Sequence, residues 1–379
     1  MTYATMLAVA AGSCAALSLG VWLFLHSERF GALPDGDELE ALRRSPNWCE
    51  AEGRFQNSMP TPRMADDAGF LRTLAEYVLT PRPYAAPERP LPTVKPDLAS
   101  LPPGADLVIW LGHSSFFLQL GGKRILIDPV LSGSGGPVSL STRAFPGSDV
   151  LTPNELPDID LLLITHDHWD HLDHDTLKAL RPRIASVVCG LGNGAHLRRW
   201  GFEPSRIHEG DWGEAFTFGP LTVRLTEARH YSGRGFTTHK ALWCGFILET
   251  SGEIAGESAG ETRRLFFSGD SGYGPHFSRI GAAHGPFDLA LLECGQYDRR
   301  WPLIHMKPEE TAQAAEDLRA QGLFLAHNGK FCIAYHGWRE PLERVSAAST
   351  GRPFRLVTPR IGEAFAPWDG VTPSTRWWE

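Results

Sequence analysis

The 379-residue chain has little that would direct it to a polyanion or build a disulfide framework. Lysine and arginine number 36 against 44 aspartates and glutamates, a net charge of −8. The cations are scattered, without the basic stripe that tracking a phosphate backbone needs, so no nucleic-acid partner is expected. Cysteine occurs only at positions 14, 49, 189, 244, 294 and 332, with no Cys-x-x-Cys pair. Most of these lie inside apolar runs, which predicts buried free thiols in place of disulfides or a thiolate zinc site, and leaves the redox compartment undecided. There is no internal repeat. Charged residues make up 21% and hydrophobic ones 42%, so the chain has ample material for a globular core.

One stretch lacks charge altogether. From Ala4 to Leu25 no side chain is ionised, and as a helix rising ~1.5 Å per residue it would match the hydrocarbon core of a bilayer. No Lys or Arg precedes it, and the apolar run continues to His26 without a small-residue cleavage site. Residues 1–26 are therefore expected to be an uncleaved membrane anchor. Arg29, Arg43 and Arg44 after it lean toward a cytoplasmic body, while cleavage would make the protein secreted or periplasmic. Residues 27–103 form a proline-rich extension with short helices expected over 37–44 and 66–79. Prolines recur from Pro81 to Pro103 and predict a strap lying on the surface. This extension serves either as a cap near the site or as a linker. Residues 104–379 form the body.

In the body, strand-like runs at 107–111, 115–120 and 124–127 are followed by a Gly/Ser/Pro loop to Pro153, with the composition of a flap over substrate. Gly121-Gly122 is a hairpin signal. Further strands at 160–164, 184–189, 215–218, 221–226, 242–250, 264–267, 287–293 and 322–326 interleave with helices at 175–180, 195–200 and 308–321, which implies layered α/β. The Gly/Glu/Ser-rich stretch 251–262 reads as an exposed hairpin loop. His113, between strands in Gly-His-Ser-Ser, reads as a satisfied structural histidine.

The chemistry is concentrated in Thr165-His166-Asp167-His168-Trp169-Asp170-His171-Leu172-Asp173, directly after the apolar run Asp160 to Ile164. So many imidazoles and carboxylates in nine residues cannot all be buried as ordinary core, because each would need its own partner. On a loop at a strand tip they can converge on cations. His166 and His168 can point into one site, and Asp170 and His171 can turn toward a second.

This His-x-His-x-Asp-His pattern resembles the metallo-β-lactamase-fold hydrolases, and the rest of that family's pattern is present downstream. His230 follows the alternating strand 221–226, Asp270 follows Arg264 to Phe267, and His327 follows Gly322 to Ala326. The text is similar to the branch of N-acyl-phosphatidylethanolamine phospholipase D and ascorbate-phosphate lactonase. The matching stretches are Trp110-Leu-Gly-His113-Ser-Ser, Ile127-Asp128-Pro129-Val130, His305-Met-Lys-Pro-Glu-Glu310 and His327-Asn-Gly-Lys-Phe331. The resemblance implies an αβ/βα sandwich, two mixed sheets between helices. It also implies that His166, His168 and His230 hold one metal, that Asp170, His171 and His327 hold the other, and that Asp270 bridges them. His305 would then meet substrate at the mouth of the cleft, making Asp170, Asp270 and His305 the catalytic residues.

Imidazole and carboxylate suit Zn²⁺, and also Fe or Mn. Two such ions sharing a water lower its pKa toward ~7 and polarise the attacked oxygen. Asp167 and Asp173 are expected to orient ligand histidines. The expected function is a phosphodiesterase of the phospholipase D type acting on N-acyl-phosphatidylethanolamine-like lipid. A lactonase or other ester hydrolase is the alternative, and a di-iron redox or metal-binding protein a more distant one, disfavoured by the lack of an appended flavin-binding domain.

Overall fold

The computed structural model describes residues 3–65, 69–82, 84–139, 142–250, 262–369 and 373–379. The loop expected at 251–262 lies outside them but for Thr262.

The N-terminal part carries helices α1 (Tyr3–Leu25) and α2 (Gly36–Leu42), the two-stranded pair β1 (Trp48–Cys49) and β2 (Arg54–Phe55), and α3 (Phe70–Leu79). The first large sheet holds β3 (Leu107–Trp110), β4 (Phe116–Leu120), β5 (Lys123–Ile127), β6 (Ile159–Ile164), β7 (Ile184–Gly190) and β8 (Ile207–Gly210), with α4 (His174–Leu180) and α5 (Gly194–Arg199) between its later strands. The second holds β9 (Ala215–Phe218), β10 (Leu221–Thr226), β11 (Gly245–Thr250), β12 (Arg264–Phe267), β13 (Leu289–Glu293), β14 (Gly322–Ala326) and β15 (Arg355–Val357), interleaved with α6 (His276–His284), α7 (Pro308–Asp317) and α8 (Glu340–Ala348). The last strand, β16 (Ala364–Phe365), returns to the first sheet.

The strand orders are β16-β3-β4-β5-β6-β7-β8 and β15-β14-β13-β12-β11-β10-β9. Each sheet runs antiparallel at one side and parallel at the other. Gly121 and Gly122 turn the β4–β5 hairpin with φ of 58° and 71°, the pair of positive values that a type I′ turn demands and glycine adopts without strain.

Alternation along the strands builds the layers. Leu265 and Phe267 of β12 and Leu289 and Leu291 of β13 enter the core between the sheets, where Phe267 and Phe324 meet Phe116 edge-on at 5.6 and 5.1 Å. Phe266, Ala290 and Leu292 point the other way, into a second cluster with Phe277 of α6 and Ala312, Ala315 and Leu342 of α7 and α8. A strand apolar on both faces must be covered on both, and this one is. The architecture is thus the expected pair of mixed sheets with helices.

The apolar N-terminal run is a helix over Tyr3–Leu25, but among the described residues no helix is long and apolar enough to cross a membrane. Leu17, Leu19, Trp22 and Leu23 along it are exposed. The proline strap is present: Leu91 and Leu98 are buried, and the strap is held by Leu91 N–H donating to Pro146 O (2.8 Å) and Val94 N–H to Ile361 O (2.8 Å). All six cysteines are free, with Cys189, Cys244 and Cys294 buried.

Candidate metal centre

The sheets bring their strand ends to one edge, and the sequence-predicted residues emerge there. β6 ends at Ile164 and delivers His166, His168, Asp170 and His171 on the loop before α4. From the second sheet come His230 beyond β10, Asp270 beyond β12 and His327 one residue past β14. A bridge between His113 and Asn328 ties the sheets together here, with His113 N–H donating to Asn328 O at 3.0 Å and His327 N–H to His113 O at 3.1 Å. His113, Asp128 and His327 all have positive φ, at 54°, 40° and 63°. Such backbone costs energy for residues other than glycine and tends to gather at functional sites.

Two donor groups result. Nδ1 of His168 faces Nε2 of His166 at 2.9 Å and Nε2 of His230 at 3.2 Å, and Oδ2 of Asp270 lies 3.8 and 3.7 Å from those same two Nε2 atoms. In the second group Oδ1 of Asp270 lies 3.2 Å from both Nε2 of His171 and Nδ1 of His327, and Oδ2 of Asp170 is 3.7 Å from Nε2 of His171. The donor atoms of His166, His168, His230 and Asp270 lie within 4.8 Å of one another, as do those of His113, Asp170, His171 and His327. Asp270 therefore offers one oxygen to each group, the arrangement of a bridging carboxylate.

The residues fit a pair of divalent cations. His171 Nε2 and Asp270 Oδ1 are buried without a hydrogen-bond partner, which is costly unless something else satisfies them. Burial, reinforced by neighbouring imidazoles, holds His166, His230 and His327 well below the usual imidazole range. That favours the neutral form that ligation requires, whereas His171, against its burial, is raised well above that range by the carboxylates Asp270, Asp170 and Asp128.

Sequence reasoning missed part of this site. His113, expected to be a satisfied structural histidine, is fully buried with Nε2 2.8 Å from Asp170 Oδ2 and with Nδ1 unpartnered, so it belongs to the second donor group. Asp167 and Asp173 do not orient ligand histidines. Asp173 caps α4, accepting from Asp175 N–H at 3.3 Å and from Thr176 Oγ1 and Ser132 N–H. Asp167 accepts from Gly233 N–H at 2.5 Å and sits 3.2 Å from His196 Nε2. The orienting carboxylate is Asp128: its Oδ2 takes His171 Nδ1–H at 2.8 Å and Thr165 Oγ1–H at 2.6 Å, while Oδ1 takes Thr165 N–H at 2.9 Å. This fixes the His171 ring with Nε2 toward Asp270.

Arg234 holds the histidine loop from outside. Its buried guanidinium lies 4.0 Å from the Trp169 ring centroid and donates to Asp167 O (3.0 Å), Leu172 O (2.6 Å) and Arg29 O (2.8 Å). The segment after α1 is thus joined to the metal loop, and Phe30 adds an edge contact to Trp169 at 4.9 Å. Removing the guanidinium strands three carbonyls. Arg234→Ala is expected to lower stability by about 2–4 kcal/mol and to weaken metal retention. Denaturation of the metal-loaded protein checks this, and an unchanged midpoint would remove Arg234 from the account.

His305 stands beside the donor groups: its ring is 5.0 Å from that of His230, and its donor atom lies within 4.8 Å of those of Asp270, Glu293 and His327. Its Nδ1 is 2.6 Å from Glu293 Oε2, while Glu293 Oε1 accepts from Met306 N–H. Glu293, fully buried at the end of β13, was not foreseen. Burial pushes its carboxyl up to about 8 against the lowering effect of His305. His305 in turn, though burial lowers it, is raised above its usual range by Glu293. The contact leaves His305 Nε2 on the side away from Glu293. His305 stacks on His327 at 5.1 Å and, with His168, Asp170, Asp270 and His327, lines a cavity of about 610 Å³. The N-terminal extension contributes Arg63, Met64 and Thr73 to its wall, and Gly135, Gly136 and Pro137 come from the flap-like loop.

Paired imidazole–carboxylate groups at the strand ends of two facing mixed sheets define a metal-dependent hydrolase. The Beta-lactamase superfamily domain matches residues 123–328, and the chain belongs to the metallo-β-lactamase superfamily. An uncharacterized protein of Mycobacterium tuberculosis (strain ATCC 25618 / H37Rv) is 35% identical over 98% of both chains. An N-acyl-phosphatidylethanolamine-hydrolyzing phospholipase D of Caenorhabditis elegans is 32% identical over 59% of this chain and 63% of its own length. In structure, the isothiocyanate hydrolase from Delia radicum gut bacteria shares the fold at a TM-score of 0.54 and 18% identity, over 69% of this chain and 98% of that one.

Proposed function

We propose that this protein is a phosphodiesterase of the phospholipase D type that cleaves the head-group ester of N-acylated aminophospholipids. The observation that carries the reading is the cavity: donor groups at its base, and walls that include Met64, Trp169, Tyr231, Trp301, Ile304 and Ile333. A phosphate can reach the base while acyl chains lie against those walls. The similarity to the worm enzyme supports the substrate class.

His166, His168 and His230 would hold one divalent cation and Asp170, His171 and His327 the other, with Asp270 shared; Zn²⁺ suits the donors, as do Fe and Mn. Two such ions supply hydroxide at neutral pH and Lewis acidity toward a phosphoryl oxygen. The chain supplies the rest. Asp128 and Asp170 fix His171 and His113, the cavity walls exclude water, and His305, held through Nδ1 by Glu293, presents Nε2 to the departing head-group oxygen and hands it a proton. The exposed, uncharged α1 would bring the cavity to a lipid surface, making the protein membrane-associated.

A panel of an N-acyl-phosphatidylethanolamine, a lactone and a carboxyl ester, presented in mixed micelles and in vesicles, tests this. Phosphatidic acid should appear faster than either other product, and a chain beginning at Ser27 should lose rate on vesicles more than on micelles. Preference for the lactone or the ester would transfer the site to that chemistry.

A further inference from the structure

We infer that Arg63 is the anion-recognising residue of the cavity, the group that makes the site select a negatively charged diester over an uncharged ester. The inference rests on the phosphodiesterase reading and specifies which residue of this chain recognises the phosphate. Among the described residues lining the cavity, Arg63 alone carries a fixed positive charge. Its guanidinium lies 5.3 Å from the ring centroid of Tyr231, and that ring is 4.5 Å from the ring of His168. One aromatic ring therefore separates the cation from the first donor group.

The strand of chain bearing Arg63 is firmly held. Asn57 brackets the backbone of His230, accepting its N–H at 3.0 Å and donating to its O at 2.8 Å. Arg229 donates to Thr61 Oγ1 (3.0 Å) and Pro60 O (3.1 Å), and Ala65 N–H donates to Arg300 O at 2.7 Å. The neighbouring guanidiniums are committed to structure: Arg300 is paired with Glu76 and Asp298 at 2.9 and 2.8 Å, and Arg229 is spent on the segment itself. Arg63 makes no hydrogen bond or ion pair with another described residue, which leaves its donors for what enters the cavity.

The chemistry that fits is a phosphate. A planar guanidinium forms paired hydrogen bonds to two oxygens of one phosphate and stays charged at every physiological pH. The donor groups at the base would meet a phosphate from one side, and a guanidinium on the open side can pair with the oxygens that face away from them. An uncharged ester offers the guanidinium only a carbonyl oxygen, a weaker acceptor.

The test compares short-chain dioctanoyl phosphatidic acid with dioctanoylglycerol, which shares its acyl chains and lacks the phosphate, by calorimetric titration of the full metal-loaded chain. Arg63→Gln should weaken phosphatidic acid binding about tenfold, one charge-assisted pair, and lower the phosphatidic acid to diacylglycerol affinity ratio by a similar factor. Arg63→Lys, which keeps the charge without the fork, should recover part of it, with metal content unchanged in both. An unchanged ratio, or equal loss for both ligands, overturns the assignment. Because binding is read directly, absence of diester turnover in the wild type would count against the phosphodiesterase reading and leave this result to be judged on its own.

Discussion

Replacing Asp270 with alanine should cost more than any other single change in the site. The residue gives Oδ2 to the His166 and His230 side and Oδ1 to the His171 and His327 side. Its loss takes a ligand from both cations at once and leaves clustered, buried imidazoles with one carboxylate fewer among them. Turnover should fall by roughly three orders of magnitude or more, with both metal equivalents weakened together in elemental analysis. Sequential loss, one ion gone and the other held as in the wild type, would show that Asp270 serves a single group.

The second large effect separates two histidines whose rings stack at 5.1 Å. His327 sits one residue past β14 with its Nδ1 facing Asp270; His305 is held through its Nδ1 by Glu293 beside the donor groups. His327→Ala should therefore release about one metal equivalent, because a donor set is broken. His305→Ala should keep both ions and lose turnover by about 10²-fold, the usual contribution of a positioned proton donor. Glu293→Gln should imitate His305→Ala more weakly and move the alkaline limb of the pH–rate profile to lower pH, since His305 loses the carboxylate that raises it. Metal loss in His305→Ala with full occupancy in His327→Ala would reverse the two assignments.

These roles were unequally legible in the sequence. The loop from His166 to His171 announces itself because its donors are contiguous, and one short turn after a buried strand brings them together. His230, Asp270 and His327 are separated along the chain but share a local signature, a polar residue just beyond an apolar strand. The same signature was present at Asp128, closing Ile125-Leu126-Ile127, and at Glu293, closing Leu289 to Leu292. A carboxylate ending a run that is otherwise fully apolar is expensive unless it has a partner, and here the partners are His171 and His305. What could not be read was the pairing itself. His113 meets Asp170 across 57 positions of chain, and nothing local in Gly-His-Ser-Ser indicates that its ring turns toward the second donor group.

The N-terminal region was the least legible. Composition alone gave cap or linker for residues 27–103, and the structure places Arg63, Met64 and Thr73 in the cavity wall and Arg29 O on Arg234. Long-range hydrogen bonds from Asn57 and Arg229 decide this, and they leave no periodic trace. The charge-free run from Ala4 to Leu25 suggested an anchor; it forms a helix along which Leu17, Leu19, Trp22 and Leu23 are exposed.

The central claim is a pair of divalent cations held by His166, His168, His230, Asp170, His171, His327 and the shared Asp270, acting on a phosphodiester. It is tested most directly by measuring metal content and N-acyl-phosphatidylethanolamine cleavage on one preparation, before chelation, after it, and after zinc or manganese is restored. The account predicts about two equivalents per chain, loss of cleavage as they are withdrawn, and recovery on their return. Cleavage undiminished by complete removal of metal would contradict it.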